Sequence, residues 1–343
     1  MSSITNKRRL KDIKNLIKKN DVEDFWYYSR SLDEVLATIV GPKDTPYEGG
    51  FYFFKIKIPE QYPMIPPKVT YYTQGYNVRF NPNLYRMSHH SENGGKVCLS
   101  ILNTWNIGPK WKPSWTLKTI MLAIQADVLV DNPLRNEPGY ENSTSFKLEK
   151  YRDIVLHENY RTAVYGMLKH PPKDFEVFLP KMREYFIKNF NNYILKLSKY
   201  MPIYDGKRIT CNVYSRMGDY NLNFKRLKER YYKIMVDLSK KSYEELEGNY
   251  IEYVNSLNKT EDSTKLIKDE PWLSHRTINM SLKLSELRKI AQLYNIESKV
   301  KIDKEGKIKI KNKSKSMLIE EINKKIKKLK SNEIMDAIMD LEI

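Results

Sequence analysis

The sequence predicts an α+β fold, with short strands gathered in the first hundred residues and helices after them. Three features carry this prediction: an alternating run at 51–58, a triple-proline loop directly after it, and a helical apolar stripe at 117–129. In the first, Tyr52, Phe54, Ile56 and Ile58 alternate with Phe53, Lys55 and Lys57, so an apolar and a partly polar face are laid out at period two. The preceding Gly41-Pro42-Lys43-Asp44-Thr45-Pro46-Tyr47-Glu48-Gly49-Gly50 has the chemistry of a tight reversal between strands. Pro63, Pro66 and Pro67 cannot enter a sheet interior, so 62–67 is an ordered surface loop; Val69, Tyr71 and Thr73 then resume a strand. In the stripe, Leu117, Ile120, Met121, Ile124, Val128 and Leu129 recur at three and four residues. Thr116 is placed to cap that helix, and Pro133 ends it near Asp131-Asn132. A short loop, 134–140, comes next and bears one carboxylate, Glu137.

Between these elements lies the segment with chemical content. Cys98, one of two cysteines in 343 residues, sits in Gly95-Lys96-Val97-Cys98-Leu99-Ser100-Ile101-Leu102, downstream of Asn81-Pro82-Asn83. A thiol after a fixed Asn-Pro-Asn turn suits a cysteine that carries an acyl group as a thioester: sulfur is the nucleophile and a side-chain amide stabilises the oxyanion. The competing readings are ordinary ones, since cysteine is among the most often buried residues and Asn-Pro-Asn is a good turn in any context.

The Gly41–Gly50 segment, the Tyr62–Pro67 loop, Asn81-Pro82-Asn83, the Gly95–Leu102 cysteine segment and Trp111-Lys112-Pro113-Ser114-Trp115 come in an order that resembles the ubiquitin-conjugating enzymes. The resemblance covers roughly residues 5–145. Through Tyr151–Val164 it continues more weakly to about 240, toward the branch with a helical C-terminal extension. It implies an antiparallel meander sheet flanked by helices. Carried over, Cys98 accepts the modifier, Asn83 supplies the oxyanion-stabilising amide or holds the loop that does, and Glu137 gates the site, orienting or deprotonating an incoming lysine. The partners implied are ubiquitin or a ubiquitin-like modifier, an activating enzyme and a ligase. The N-terminal basic face with Lys7, Arg8, Arg9 and Lys11 would meet the activating enzyme, and Met64, Pro66, Lys112 and Pro113 the ligase. No cofactor is implied: with no Gly-rich phosphate loop in the chain, ATP is used by the activating enzyme.

Three departures from the family pattern stand out. Asn81 replaces the usual histidine, with a residue that also makes turn hydrogen bonds. Met87-Ser88-His89-His90-Ser91-Glu92-Asn93 is inserted before the cysteine and reads as a polar surface loop; its adjacent histidines lack zinc-ligand spacing, so no metal is expected. Met64 stands where many members have an aromatic residue.

The chain carries 60 Lys+Arg against 42 Asp+Glu, a net charge of +18. Part of the excess lies in a predicted N-terminal helix, whose Leu10, Ile13, Leu16 and Ile17 form an apolar stripe. Two cysteines exclude a disulfide framework, and no secretory or membrane-spanning segment is evident, so the expectation is an intracellular protein that uses no membrane. The organisation expected is a core at 5–145, a helical extension packed on it at 146–257, a linker at 258–275 and a small basic helical module at 276–343. Residues 281–330 hold 16 Lys+Arg against 6 Asp+Glu. Their two amphipathic segments, at 282–294 and 317–329 with a loop between, resemble a SAP-type helix-extended-helix module, which would give the chain nucleic acid as a further partner; the alternative is a basic helical hairpin that solubilises the chain or binds a protein. The alternative to an enzyme is a non-catalytic scaffold of the same fold that binds ubiquitin or nucleic acid.

Overall fold

The computed structural model describes residues 2–18, 24–75, 77–86, 94–214, 218–259, 299–304 and 307–312, together with 314, 316, 317, 320 and 321. Strands β1 (Phe25–Ser29), β2 (Glu34–Val40), β3 (Phe51–Lys57), β4 (Lys68–Tyr71) and β5 (Gly95–Lys96) form one antiparallel sheet in sequence order. This is the meander that the resemblance implied. Ala37 faces Phe54 across β2–β3, and Phe54 faces Tyr71 across β3–β4, so apolar side chains stack across three strands on one face.

Helix α1 (Ser2–Lys18), helix α2 (Leu117–Ala123, continuing as π-helix over Ile124–Val128) and helix α3 (Lys147–Glu158) cover that face. Their Ile13, Leu16, Ile120, Ile124, Val128, Tyr151 and Ile154 share one core cluster with Ala37, Tyr52, Phe54 and Ile56. Thr116 caps α2 as expected: its side chain accepts from the Thr119 amide (3.3 Å), and the Thr119 hydroxyl accepts from the Thr116 amide (3.2 Å). On α1 the buried face differs from the predicted stripe. Ile13 and Leu16 are buried, but Leu10 and Ile17 are exposed, and Arg9 and Asp12 take their places inside. Arg9 donates to Asp33 (2.8 Å) and to the Pro59 carbonyl (2.6 Å), and Asp12 accepts from Arg8 (2.9 Å) and from Tyr62. These pairings satisfy charges that would otherwise be costly to bury.

The partly polar face of β3 is covered as well. After α3 the chain runs through a π-helical stretch (Asn159–Gly166), α4 (Met167–Lys169) and a 3-10 turn (Lys173–Phe178) into α5 (Leu179–Tyr204). Met182, Phe186, Phe190, Tyr193, Ile194 and Leu197 give α5 one buried stripe, and Pro180 fits its first turn. That stripe joins a second core cluster with Trp26, Leu36, Val40, Phe51 and Phe53, where Phe53 stacks on Phe175 at 4.8 Å between ring centroids. Lys55, on the same face, donates to Asp174 (2.5 Å). The Gly49-Gly50 pair is where this layer approaches most closely. A Cβ on Gly49 would lie 2.7 Å from the Tyr193 hydroxyl, and one on Gly50 would lie 2.0 Å from Asn159 Oδ1. The extension is thus docked on the sheet, and α3 serves both layers.

Helix α5 leads into a hairpin of β6 (Arg208–Thr210) and β7 (Asp219–Asn221), then α6 (Phe224–Ser239) and α7 (Tyr243–Lys259). The hairpin is fixed to α3 by a buried polar chain. His157 Nε2 accepts from the Asn223 amide (3.0 Å), which leaves Nδ1–H to meet the Tyr220 hydroxyl (3.0 Å). Tyr220 then donates to Glu158 (2.5 Å), which also accepts two bonds from Arg161 (2.8 and 2.9 Å) and one from Thr162. Farther on, β8 (Lys299–Lys304) and β9 (Lys307–Asn312) pair antiparallel, with Lys301 opposite Ile310. The connection expected to be a loop between two helices therefore contains a hairpin. The expected linker from 260 onward and most of both segments likened to SAP helices lie outside the described residues. No helix among the described residues is long and apolar enough to cross a membrane.

Burial, with help from the Arg161 charge, lowers His157 from 6.5 to about 3. Unfolded, the same imidazole takes a proton near 6.5, so below that pH the unfolded state binds more protons and stability falls. The contribution is fully present above about pH 6.5 and is lost toward pH 3, at roughly 1.4 kcal/mol per unit. Urea denaturation from pH 7 to 4.5 should show this slope, and His157→Gln should flatten it; an equal slope in the variant would contradict the assignment.

Candidate functional site

Asn81 is fully buried and organises the site from the turn outward. Its Oδ1 accepts from the Asn83 amide (2.8 Å) and from Asn136 Nδ2 (3.3 Å). Its Nδ2 donates to the Val128 carbonyl (2.8 Å), at the end of the α2 segment, and contacts the Tyr47 hydroxyl (3.3 Å). Tyr47 in turn donates to the Phe80 carbonyl (2.7 Å). One side chain thus fixes the Asn-Pro-Asn turn, the helix end and the loop before Glu137, the kind of turn bonding expected of the histidine replacement.

The cysteine segment is laid against that turn. The Cys98 amide donates to the Asn83 carbonyl (2.9 Å), Tyr85 donates to the Lys96 carbonyl (2.9 Å), and Leu84 bridges Val97. Past the cysteine, the Thr104 hydroxyl accepts from the Leu99 amide (2.9 Å) and donates to the Val97 carbonyl (2.8 Å). The Cys98 thiol donates to the Thr104 carbonyl at 3.5 Å. Cys98 is 2% exposed, and Asn83 is half-buried. Cys211, the other cysteine, packs in the first core cluster, where burial pushes its thiol up and suppresses the reactive thiolate.

Glu137 lies just past Asn136, in a loop held by the Arg135 amide on the Asn132 carbonyl (3.1 Å) and its own amide on Leu134 (3.0 Å). Its carboxylate accepts from the Tyr214 hydroxyl, in the loop joining β6 to β7. Asn83, Cys98 and Glu137 are thus connected through bonded turns around Asn81.

The other predicted contacts lie elsewhere. On α1, Lys7 and Lys11 are exposed, Arg8 is half-buried and tied to Asp12 and the Trp115 carbonyl, and Arg9 is committed to Asp33 and Pro59. Only the two lysines of the four remain turned to solvent. Met64, Lys112 and Pro113 are exposed and Pro66 half-buried, on two loops joined by Trp111, whose indole donates to the Pro63 carbonyl (2.6 Å). Sequence reading did not single out Thr104, Asn136, Arg79 or Tyr214. The first two are polar residues in polar loops, with no periodic signal to mark them. His89 and His90 lie outside the described residues. No group of three or more His, Cys, Asp and Glu side chains among the described residues is arranged to hold a metal ion.

Residues 6–155 match the ubiquitin-conjugating enzyme family profile. The chain is 40% identical over 164 residues to "Ubiquitin-conjugating enzyme E2 Z" of Danio rerio, covering 47% of each protein. With the Homo sapiens protein of that name it shares 44% over 140 residues, 40% of this chain and 37% of the relative. The matched segment therefore spans less than half of those relatives' length. Among solved structures, human ubiquitin-conjugating enzyme E2 G1 is 31% identical, covering 36% of this chain and 92% of that one, with a TM-score of 0.28.

Replacing Asn81 with Ala would leave the buried Val128 carbonyl and the half-buried Asn83 amide without their partner, at about 1–3 kcal/mol for the former and less for the latter. Chemical denaturation of Asn81→Ala should show a loss of that order; a change under about 0.5 kcal/mol, the level of an ordinary surface substitution, would remove Asn81 from the centre of the site.

Proposed function

Through residues 6–155 this chain belongs to the ubiquitin-conjugating enzyme family, and we propose that it carries ubiquitin, or a ubiquitin-like modifier, as a thioester on Cys98. The observation that carries this reading is the bond from the Cys98 amide to the Asn83 carbonyl, which sets the thiol-bearing residue beside the residue that bears the amide. An activating enzyme, the partner that consumes ATP, presents the modifier as its own thioester. The Cys98 thiolate attacks the carbonyl carbon, the Asn83 amide donates to the oxyanion, and the partner's sulfur leaves as thiolate. In the second transfer a substrate lysine amine, or a ligase thiol, attacks the Cys98 thioester, and Glu137 orients the amine or takes its proton. With Cys98 2% exposed, charging requires the surrounding chain to give way.

Lys7 and Lys11 supply the exposed charge that speeds encounter with an acidic surface of the activating enzyme. Met64, Pro66, Lys112 and Pro113 form the ligase-facing loops. Residues 276–343, rich in lysine, are the segment suited to nucleic-acid phosphates. The work is done inside a cell, where activating enzyme and ATP occur together.

Incubation with an activating enzyme, ubiquitin and ATP should give a modifier-sized shift on a gel that reductant removes and Cys98→Ala abolishes. Asn83→Ala should slow transfer by about a hundredfold or more. No shift with any activating enzyme or modifier, or a shift that survives in Cys98→Ala, would refute the reading.

A further inference from the structure

Tyr214, in the stretch after β6, lies outside the family-matched segment, yet its hydroxyl meets Glu137. Cys211 packs into the first core cluster at the start of that stretch, and its amide donates to the Gly218 carbonyl (3.1 Å) across the β6–β7 loop. Past the loop, Tyr220 is bonded into the His157–Glu158 chain. Tyr214, between these anchors, points its hydroxyl at the Glu137 carboxylate and donates to it. The Tyr214 ring lies against the Arg79 guanidinium, 4.7 Å from its centroid, and meets the Tyr151 ring edge-on at 6.0 Å. Arg79 is also over the Tyr85 ring, 3.9 Å from its centroid, and donates to the Pro82 carbonyl of the Asn-Pro-Asn turn. One tyrosine of the extension therefore touches the gate directly and the turn through a single arginine. Burial, reinforced by the bond to Glu137, pushes the Tyr214 phenol up, so it keeps its proton and acts as a donor.

The gate needs such support. Glu137 is followed by Pro138 and by Gly139 at φ +87°, where an added Cβ would meet nothing within 4 Å. Backbone bonds fix where the residue sits, but the rotamer of its carboxylate is held from across the site.

We propose that Tyr214 is a positioning residue for the second transfer: its hydroxyl holds the Glu137 carboxylate toward the incoming amine, which makes the helical extension part of the transfer site. The proposal rests on the reading of Cys98 and Glu137 above. In that step the amine nitrogen forms a bond to the thioester carbonyl carbon, the carbon–sulfur bond breaks, and Cys98 leaves as thiolate. The proton shed by the amine passes to Glu137. A carboxylate free to rotate presents its oxygen to that proton less often, so Tyr214 acts on turnover of the bound amine more than on its binding.

The test charges wild type, Tyr214→Phe, Glu137→Gln and the double variant with ubiquitin and stops activation by chelating magnesium. Discharge to free lysine is then followed on the charged fraction as lysine is raised. Tyr214→Phe keeps the ring against Arg79 and removes one oxygen. It should lower the saturating discharge rate about tenfold, with half-saturating lysine changed less than about twofold. Glu137→Gln should lose at least as much, and the double variant should be no slower than Glu137→Gln, because Tyr214 acts through Glu137. Wild-type discharge by Tyr214→Phe would overturn the proposal. So would a double variant slower than Glu137→Gln by the full Tyr214→Phe factor, which would assign Tyr214 a role independent of the gate. Wild-type discharge by Glu137→Gln would overturn the gate assignment, and failure of the wild-type protein to charge would overturn the Cys98 reading itself.

Discussion

Phe51 and Phe53 project from β3 on the side away from α1 and α2, where an uncovered sheet would hold them in water. They and Trp26, Leu36 and Val40 are instead buried under the extension. Burial of side chains of this size is worth on the order of 1.5–3 kcal/mol each, so the extension and the sheet stabilise one another. The demand for cover sets the course of the chain beyond α3. It brings Tyr193 onto the Gly49 carbonyl (2.7 Å) and Asn159 onto the Glu48 carbonyl (2.9 Å). It draws Lys196 to Glu48, and it turns α5 back so that the β6–β7 hairpin returns to α3. Had the sheet ended in solvent on that side, nothing beyond α3 would reach Glu137.

On the opposite side, the site depends on a small number of buried polar bonds rather than on apolar area. Asn81 meets the hydrogen-bonding needs of a turn, a helix end and a loop at once, from a fully buried position. The result is a cysteine segment whose backbone is fixed to the turn, while the Glu137 carboxylate is bonded from a different layer of the fold. The acyl transfer proposed at Cys98 would gain from both, since fixed groups near a reacting carbonyl need not reorganise as charge develops.

Much of this was legible in the chain. The alternation at 51–58, the proline loop, the Thr116 cap and the helical stripe after it are local patterns, and each formed as read. The order of the Cys98, Asn83 and Gly41–Gly50 motifs carried the family, now matched over 6–155. Non-local pairing was not legible. Phe53 looked like one apolar residue on a mixed face because Phe175, its partner, lies more than a hundred residues away. Arg9 reads as part of an exposed basic face, since nothing local announces Asp33 or Pro59 as its partners, and nothing local marks Asp12 as the partner of Tyr62. Tyr214 is one of 25 tyrosines, and only the return of the hairpin distinguishes it. The Val/Ile–Lys alternation of 299–311 is the exception: it is a local period-two signal, and the strands it specifies pair where a loop is expected.

The central claim is that one sulfur, that of Cys98, carries the modifier. It is tested most directly by charging Cys98→Ser and mapping the adduct by mass spectrometry. The account predicts a single modifier joined to the substituted hydroxyl at position 98 through an oxygen ester, resistant to thiol reductant and cleaved by mild alkali. An adduct that maps to Cys211 or to a lysine, with position 98 unmodified, would contradict it.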